Sequence, residues 1–150
     1  MAQVIHVQNP RALLDPSLRS VVLEAVDGTP LGAVEPETLF EAVLGRAITG
    51  PGALFVALQA GEYRGVALAL PSQDPLDARP RVLFHMRRGS KKGLKSGLLL
   101  ALVDFLCRNH YTKVWAINPS GVRDSVFKRA WKKAGKSRKV ASVMEVDLAA

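Results

Sequence analysis

Hydrophobic and polar residues change their spacing several times along this chain, and each change marks an element. QVIHVQ alternates and is rich in β-branched residues, which predicts a short strand over 3–8. In DPSLRSVVLEAV, Asp15 stands as an N-cap with Pro16 at the first helical position. Leu18, Val21, Val22 and Ala25 then share one helical face. A second helix starts at Pro36, carries Leu39, Val43, Leu44 and Ala47 at helical spacing, and ends at Gly50-Pro51. ALFVALQ and YRGVALAL read as the two strands of a hairpin, joined by a tight turn at Ala60-Gly61-Glu62.

Beyond the polar loop SQDPLDARP, RVLFHM (81–86) predicts a buried strand. A glycine-rich basic loop follows, then a helix from Leu94 to Asn109 whose apolar residues surround most of its circumference. Such a helix is expected to pack against a sheet over a wide arc, with Cys107 as a core residue. KVWAIN (113–118) is a further strand, DSVFKRAWKKAG (124–135) a short amphipathic helix, and ASVMEVDL (141–148) a final strand. Trp115 on its strand and Trp131 on the apolar stripe of the short helix read as core. The order β-α-α-β-β-β-α-β-α-β predicts one α/β (α+β) domain over 1–150. It has a mixed sheet of about six strands flanked by about four helices. The connection between strands 81–86 and 113–118 is expected to be a parallel, right-handed crossover.

Composition narrows the function classes. No run approaches the ~18 apolar residues of a membrane span, and the N-terminus lacks the layout of a signal peptide. One cysteine excludes an internal disulfide, so a cytoplasmic setting is expected. His6 and His110 have no partners at metal-ligand spacing, and no metal is expected. Charge is divided unevenly. Residues 1–78 hold four Lys/Arg and nine Asp/Glu, a net of −5, whereas residues 79–150 hold seventeen and four, a net of +13. The C-terminal half therefore meets something anionic.

Residues 87–105, RRGSKKGLKSGLLLALVDF, place that charge at a loop that leaves a strand and opens a helix. There, unpaired backbone N–H groups face the positive end of the helix dipole. Glycines at 89, 93 and 97 permit positive φ and close approach of an anion to the backbone.

This loop in this element order resembles the GNAT superfamily of acetyl-CoA-dependent N-acetyltransferases, over nearly the full chain and most strongly from Arg81 to Leu148. In that family a strand feeds a loop of the form Q/R-x-x-G-x-G/A, then a helix that begins with paired apolar residues. Aligned on Leu98-Leu99, the chain supplies SKKGLK (90–95), with the central glycine at Gly93. NHYTKVWAIN, FKRAWKKAG and MEVDL match the elements that follow.

The resemblance implies an acetyl-CoA site and an amine acceptor, either a small molecule or a protein. The amides from Lys92 through Gly93, Leu94 and Lys95 to Ser96 would hold the pyrophosphate. The strand edge at Phe84, His85 and Met86 would pair with the pantetheine arm, and Arg88, Lys91 and Lys92 would add charge near the phosphates. Three positions depart from the pattern: Ser90 replaces Gln or Arg, Lys95 replaces Gly or Ala, and Trp131 stands where many members carry the tyrosine that protonates the leaving thiolate.

Transfer to an amine needs the amine neutral, so a base is sought. His85 is the candidate by type and place, with Tyr111, Ser125 and Cys107 as weaker alternatives. Lys128, Arg129, Lys132, Lys133, Lys136, Arg138 and Lys139 form a second basic cluster, larger than one coenzyme A could use. It suggests an alternative: a binding or structural module whose basic face takes nucleic acid or another polyanion in a salt-dependent way. Small GNAT-like proteins encoded by bacteriophages look similar, including the tryptophan on the short helix, and some of these are associated with virions or DNA. The acidic N-terminal half, with Glu35, Glu37 and Glu41, would suit a cationic acceptor.

Overall fold

The computed structural model describes residues 2–117 together with 128, 129, 131 and 132. Its strands are β1 (Ala2–Val7), β2 (Ala53–Gln59), β3 (Glu62–Leu70), β4 (Arg81–Met86) and β5 (Trp115–Ala116). They form one sheet in the order β1-β2-β3-β4-β5, antiparallel except for the parallel pair β4–β5. The sheet is therefore mixed, as the alternation of strands and one crossover requires. The predicted strand 141–148 lies outside the described residues, as does most of the predicted helix 124–135. Lys128, Arg129 and Trp131 of that segment are helical.

Helix α1 (Pro16–Val26) begins as its sequence dictates: the Asp15 carboxylate accepts from the Ser17 amide at 2.9 Å, with Pro16 at the first turn. Such a cap contributes about 1 kcal/mol. The second helix, α2, spans 36–49 and contains a π-helical stretch, Leu39–Leu44. That stretch brings Phe40 as well as Leu39 and Leu44 into the core, while Val43 is only partly buried. Arg19 clamps the two helices together. It donates to Glu37 at 3.1 Å and lies 4.6 Å from the Phe40 ring centre. The third helix, α3 (Leu94–Arg108), crosses β1, β2 and β3 on the other face of the sheet.

Strand alternation divides the core in two. Leu54, Val56, Val66, Leu68 and Leu83 face α1 and α2. Phe55, Ala57, Ala67, Ala69 and Val82 face α3, where small sheet residues meet Leu94, Leu98, Leu99, Leu102 and Leu106. Each fully buried leucine contributes roughly 1.5–3 kcal/mol through removal from water. The buried arc of α3 is narrower than its sequence predicts, since Leu100 is 67% exposed. Cys107, expected in the core, is exposed on the same outer side.

The β2–β3 hairpin turns through Ala60 and Gly61, both at positive φ, the hand that suits a two-residue connection. Past the turn the register slips. Ala57 pairs with Gly65 but Leu58 pairs with Tyr63, so Arg64 is the extra residue of a β-bulge. Between β4 and β5 only Arg81↔Trp115 and Val82↔Ala116 pair, and the Ile117 amide donates to the Val82 carbonyl at 3.0 Å. Among the described residues, β4 has no ladder partner on that side from Leu83 to Met86. Trp115 is half-buried rather than core. Its indole N–H donates to Asp77 at 2.8 Å, and the Arg79 guanidinium lies 4.0 Å from its ring centre, because the polar 71–80 loop folds back over this strand.

Candidate functional site

The loop after β4 is built from tight turns that consume its own acceptors. The Arg87 amide continues the ladder to the Arg64 carbonyl at 2.7 Å. Ser90 Oγ donates back to the Arg87 carbonyl at 2.6 Å, and the Lys91 amide donates to Gln59 Oε1 at 2.6 Å. Gly89 and Gly93 have φ of 77° and 90°, and Gly93 is the N-cap of α3. A Cβ there would touch nothing within 4 Å, so the backbone at Gly93 fronts open space. Gly97 lies within α3 and has negative φ, where its small size brings the helix close to Val4.

The first α3 amides are only partly engaged. Leu94 N–H donates to Lys91 at 3.2 Å and Gly97 N–H to Gly93 at 2.9 Å. The amides of Lys92, Gly93 and Lys95 have no acceptor among the described residues. Unpaired donors at a helix N-terminus favour an anion. Arg88, Lys91, Lys92 and Lys95 are exposed around them and make no ion pair within the described residues. Leu94 is buried at 6% exposure and anchors the first turn, and Ser96 is half-buried. A groove of about 310 Å³ runs between this turn and the start of β1.

Alternation along β4 separates the remaining candidates. Phe84 and Met86 lie on the α3 face, where Phe84 meets Trp131 edge-on at 6.3 Å between ring centres. Trp131 is 7% exposed, a core residue as its stripe predicts. His85 lies on the α1 face. Its Nε2 is buried without a hydrogen-bond partner among the described residues. Burial lowers its pKa from the ordinary 6.5, Glu24 opposes that shift, and Arg87 reinforces it. The structure thus gathers residues 88–96 around one helix end and leaves His85 on the opposite face of the strand that feeds it.

Three residues that shape this site were not singled out by the sequence. Arg87 bridges the loop to α1. Its guanidinium donates to Glu24, to Ser20 Oγ at 3.4 Å and to the Tyr63 carbonyl at 3.0 Å. Arg64 and Gln59 hold the loop from the hairpin beneath it. Of the second basic cluster, Lys128, Arg129 and Lys132 are exposed, and Lys133, Lys136, Arg138 and Lys139 lie outside the described residues, as does Ser125. Tyr111 is half-buried beyond the far end of α3, apart from the loop. Among the described residues no group of His, Cys, Asp and Glu could hold a metal, and no helix is long and apolar enough to cross a membrane.

No protein-family model and no curated protein sequence matches the chain. Solved structures do. The aminoglycoside acetyltransferase AAC(6')-Iy, in complex with the bisubstrate analogue CoA-S-monomethyl-acetylneamine, superposes with a TM-score of 0.67 at 15% identity, covering 99% of both chains. A ribosomal-protein-alanine N-acetyltransferase from Brucella melitensis gives 0.60 at 14% identity, over 98% of this chain and 100% of the other. An acetyltransferase of the GNAT family from Streptococcus pneumoniae gives 0.65 at 14% identity, over 89% and 83%. The chain has the GNAT fold.

Proposed function

We propose that this protein transfers an acetyl group from acetyl-CoA to an amine. The observation that carries the reading is the helix end at Gly93. Among the described residues three amides have no acceptor, Gly93 between them fronts open space, four exposed cations surround them, and they follow a strand whose outer edge has no ladder partner from Leu83 to Met86. These features suit a pyrophosphate at Lys92–Lys95 and an amide-bearing arm along Phe84–Met86. Solved neighbours carry CoA or a CoA-linked analogue.

Acetyl-CoA supplies an activated thioester. In the reaction a neutral amine attacks its carbonyl carbon, a C–N bond forms, the C–S bond breaks and the amine loses a proton. His85 suits the proton-accepting role, since its lowered pKa keeps the imidazole neutral near pH 7. Trp131 is packed against Phe84 and its indole N–H is no acid at neutral pH. The departing thiolate, with an ordinary thiol pKa of about 8.5, takes its proton from water in this account. Exposed Glu35 and Glu41, together with Glu37, give the α2 side a charge suited to a cationic acceptor.

The test is thiol release from acetyl-CoA in the presence of polyamines, aminoglycosides and peptides with free N-termini. Amine-dependent release above the hydrolysis background supports the reading. Release that no amine stimulates would remove the transferase activity from it.

A further inference from the structure

Arg64 is the extra residue of the β3 bulge, and the bulge directs its side chain under the loop that follows β4. Nε donates to Ser90 Oγ at 3.3 Å, and a terminal nitrogen donates to the Arg88 carbonyl. Gly89 turns around the guanidinium: a Cβ at that position would lie 3.8 Å from it. Glu62 stands 3.7 Å away but is 72% exposed, so this pair is screened and leaves the cation's field largely intact. The Arg64 side chain itself is 19% exposed.

Gln59, across the hairpin, makes the second tie through the Lys91 amide. Before Lys92 the ties are specific: the Arg87 amide donates to the Arg64 carbonyl, Arg64 donates to the Arg88 carbonyl, Ser90 Oγ donates to the Arg87 carbonyl, and the Lys91 amide donates to Gln59, while the Arg87 guanidinium reaches Glu24 on α1. From Lys92 onward, the amides of Lys92, Gly93 and Lys95 have no acceptor among the described residues. A guanidinium fork can hold a carbonyl and a hydroxyl in one fixed geometry, which a lysine ammonium cannot.

We propose that Arg64 is a positioning residue for the anion site, acting with Gln59: it sets the shape of the 87–91 turn, and that shape presents the next amides to a pyrophosphate. The proposal rests on the acetyl-CoA reading for the identity of the ligand. Its test keeps the two apart. Wild type, Arg64→Lys, Arg64→Ala and Gln59→Leu are titrated with inorganic pyrophosphate, acetyl-CoA and acetyl-pantetheine, while the backbone amide resonances of Lys92, Gly93 and Lys95 are followed by NMR.

The expected result is a loss of at least tenfold in affinity for pyrophosphate and acetyl-CoA in both Arg64 variants and a smaller loss in Gln59→Leu. Affinity for acetyl-pantetheine, which lacks the pyrophosphate, stays within twofold of wild type. Pyrophosphate affinity within twofold of wild type in both Arg64 variants overturns the proposal. So does a parallel loss for all three ligands, the mark of general unfolding. Wild-type protein that binds pyrophosphate at these amides but not acetyl-CoA refutes the acetyltransferase reading, and the variants still decide the role of Arg64. Binding of neither ligand by wild type overturns both.

Discussion

Replacing Gly93 with alanine separates the two properties assigned to that residue, backbone conformation and open frontage. Its φ of 90° lies in the left-handed region, and a Cβ built there meets no atom within 4 Å. No clash is added, so the stability cost is the backbone strain alone, about 1–2 kcal/mol. For a chain of this size that lowers the melting midpoint by roughly 2–8 °C. The methyl group would, however, stand in the space a pyrophosphate must enter to reach the amides on either side. Acetyl-CoA affinity should therefore fall at least tenfold, equivalent to about 1.4 kcal/mol. Gly93→Asn is the control, since asparagine tolerates positive φ better but carries a larger side chain. It should recover part of the stability and none of the affinity. Calorimetric titration and chemical denaturation on the same preparations read both quantities. Unchanged affinity in two folded variants would refute the placement of the ligand at this helix end.

Other outcomes follow from the same geometry. Lys95→Gly should preserve or tighten acetyl-CoA binding if the amides hold the phosphates, and a clear loss in titration would show that the ammonium is itself a ligand. His85→Gln should lower amine-dependent turnover by roughly 10²-fold or more with acetyl-CoA affinity within twofold, measured by thiol release and calorimetry. Folding holds the His85 pKa below 6.5, so the unfolded chain binds more protons under that pH. Its contribution to stability is complete above pH 6.5 and fades as pH falls through the native value, and His85→Gln should flatten that part of a denaturation series. Asp77 has its pKa lowered first by the Arg79 hydrogen bond and then by that of Trp115. Its stabilising effect is present above the ordinary 3.8 and is lost in acid. Asp77→Asn should shift Trp115 fluorescence at neutral pH to the wavelength wild type reaches only at low pH. Gly65→Ala would place a Cβ 2.7 Å from the His85 carbonyl, a backbone contact that cannot relax cheaply, and should cost about 1–3 kcal/mol in denaturant unfolding.

Much of this fold was legible because local signals and packing agree. Asp15-Pro16 starts a helix in sequence and in structure, and the hairpin of 53–70 follows from two apolar runs around Ala60-Gly61. Strand alternation accounts for Phe84 and Met86 lying opposite His85. What failed depended on neighbours distant in sequence. Cys107 and Leu100 lie on an apolar helix, but the sheet offers cover to only one side of it. Trp115 left the core because the loop at 77–79 supplied an acceptor and a stacking cation, and no local pattern encodes that encounter. Arg64 was hidden for a similar reason. A bulge is a register relation between two strands, invisible in either strand alone. The glycines and cations that make the loop at 87–97 a candidate anion site were readable in the sequence, whereas the ties that shape it were not.

The central claim is that Gly93 and its neighbours form a built site for acetyl-CoA rather than a diffuse basic surface. Calorimetric titration of the protein with acetyl-CoA at low and at ~0.3 M salt tests it most directly, because screening weakens contacts between exposed charges far more than hydrogen bonds from fixed amides. Micromolar binding that persists at the higher salt is the predicted result. Binding that disappears with salt, or none at either concentration, would contradict it.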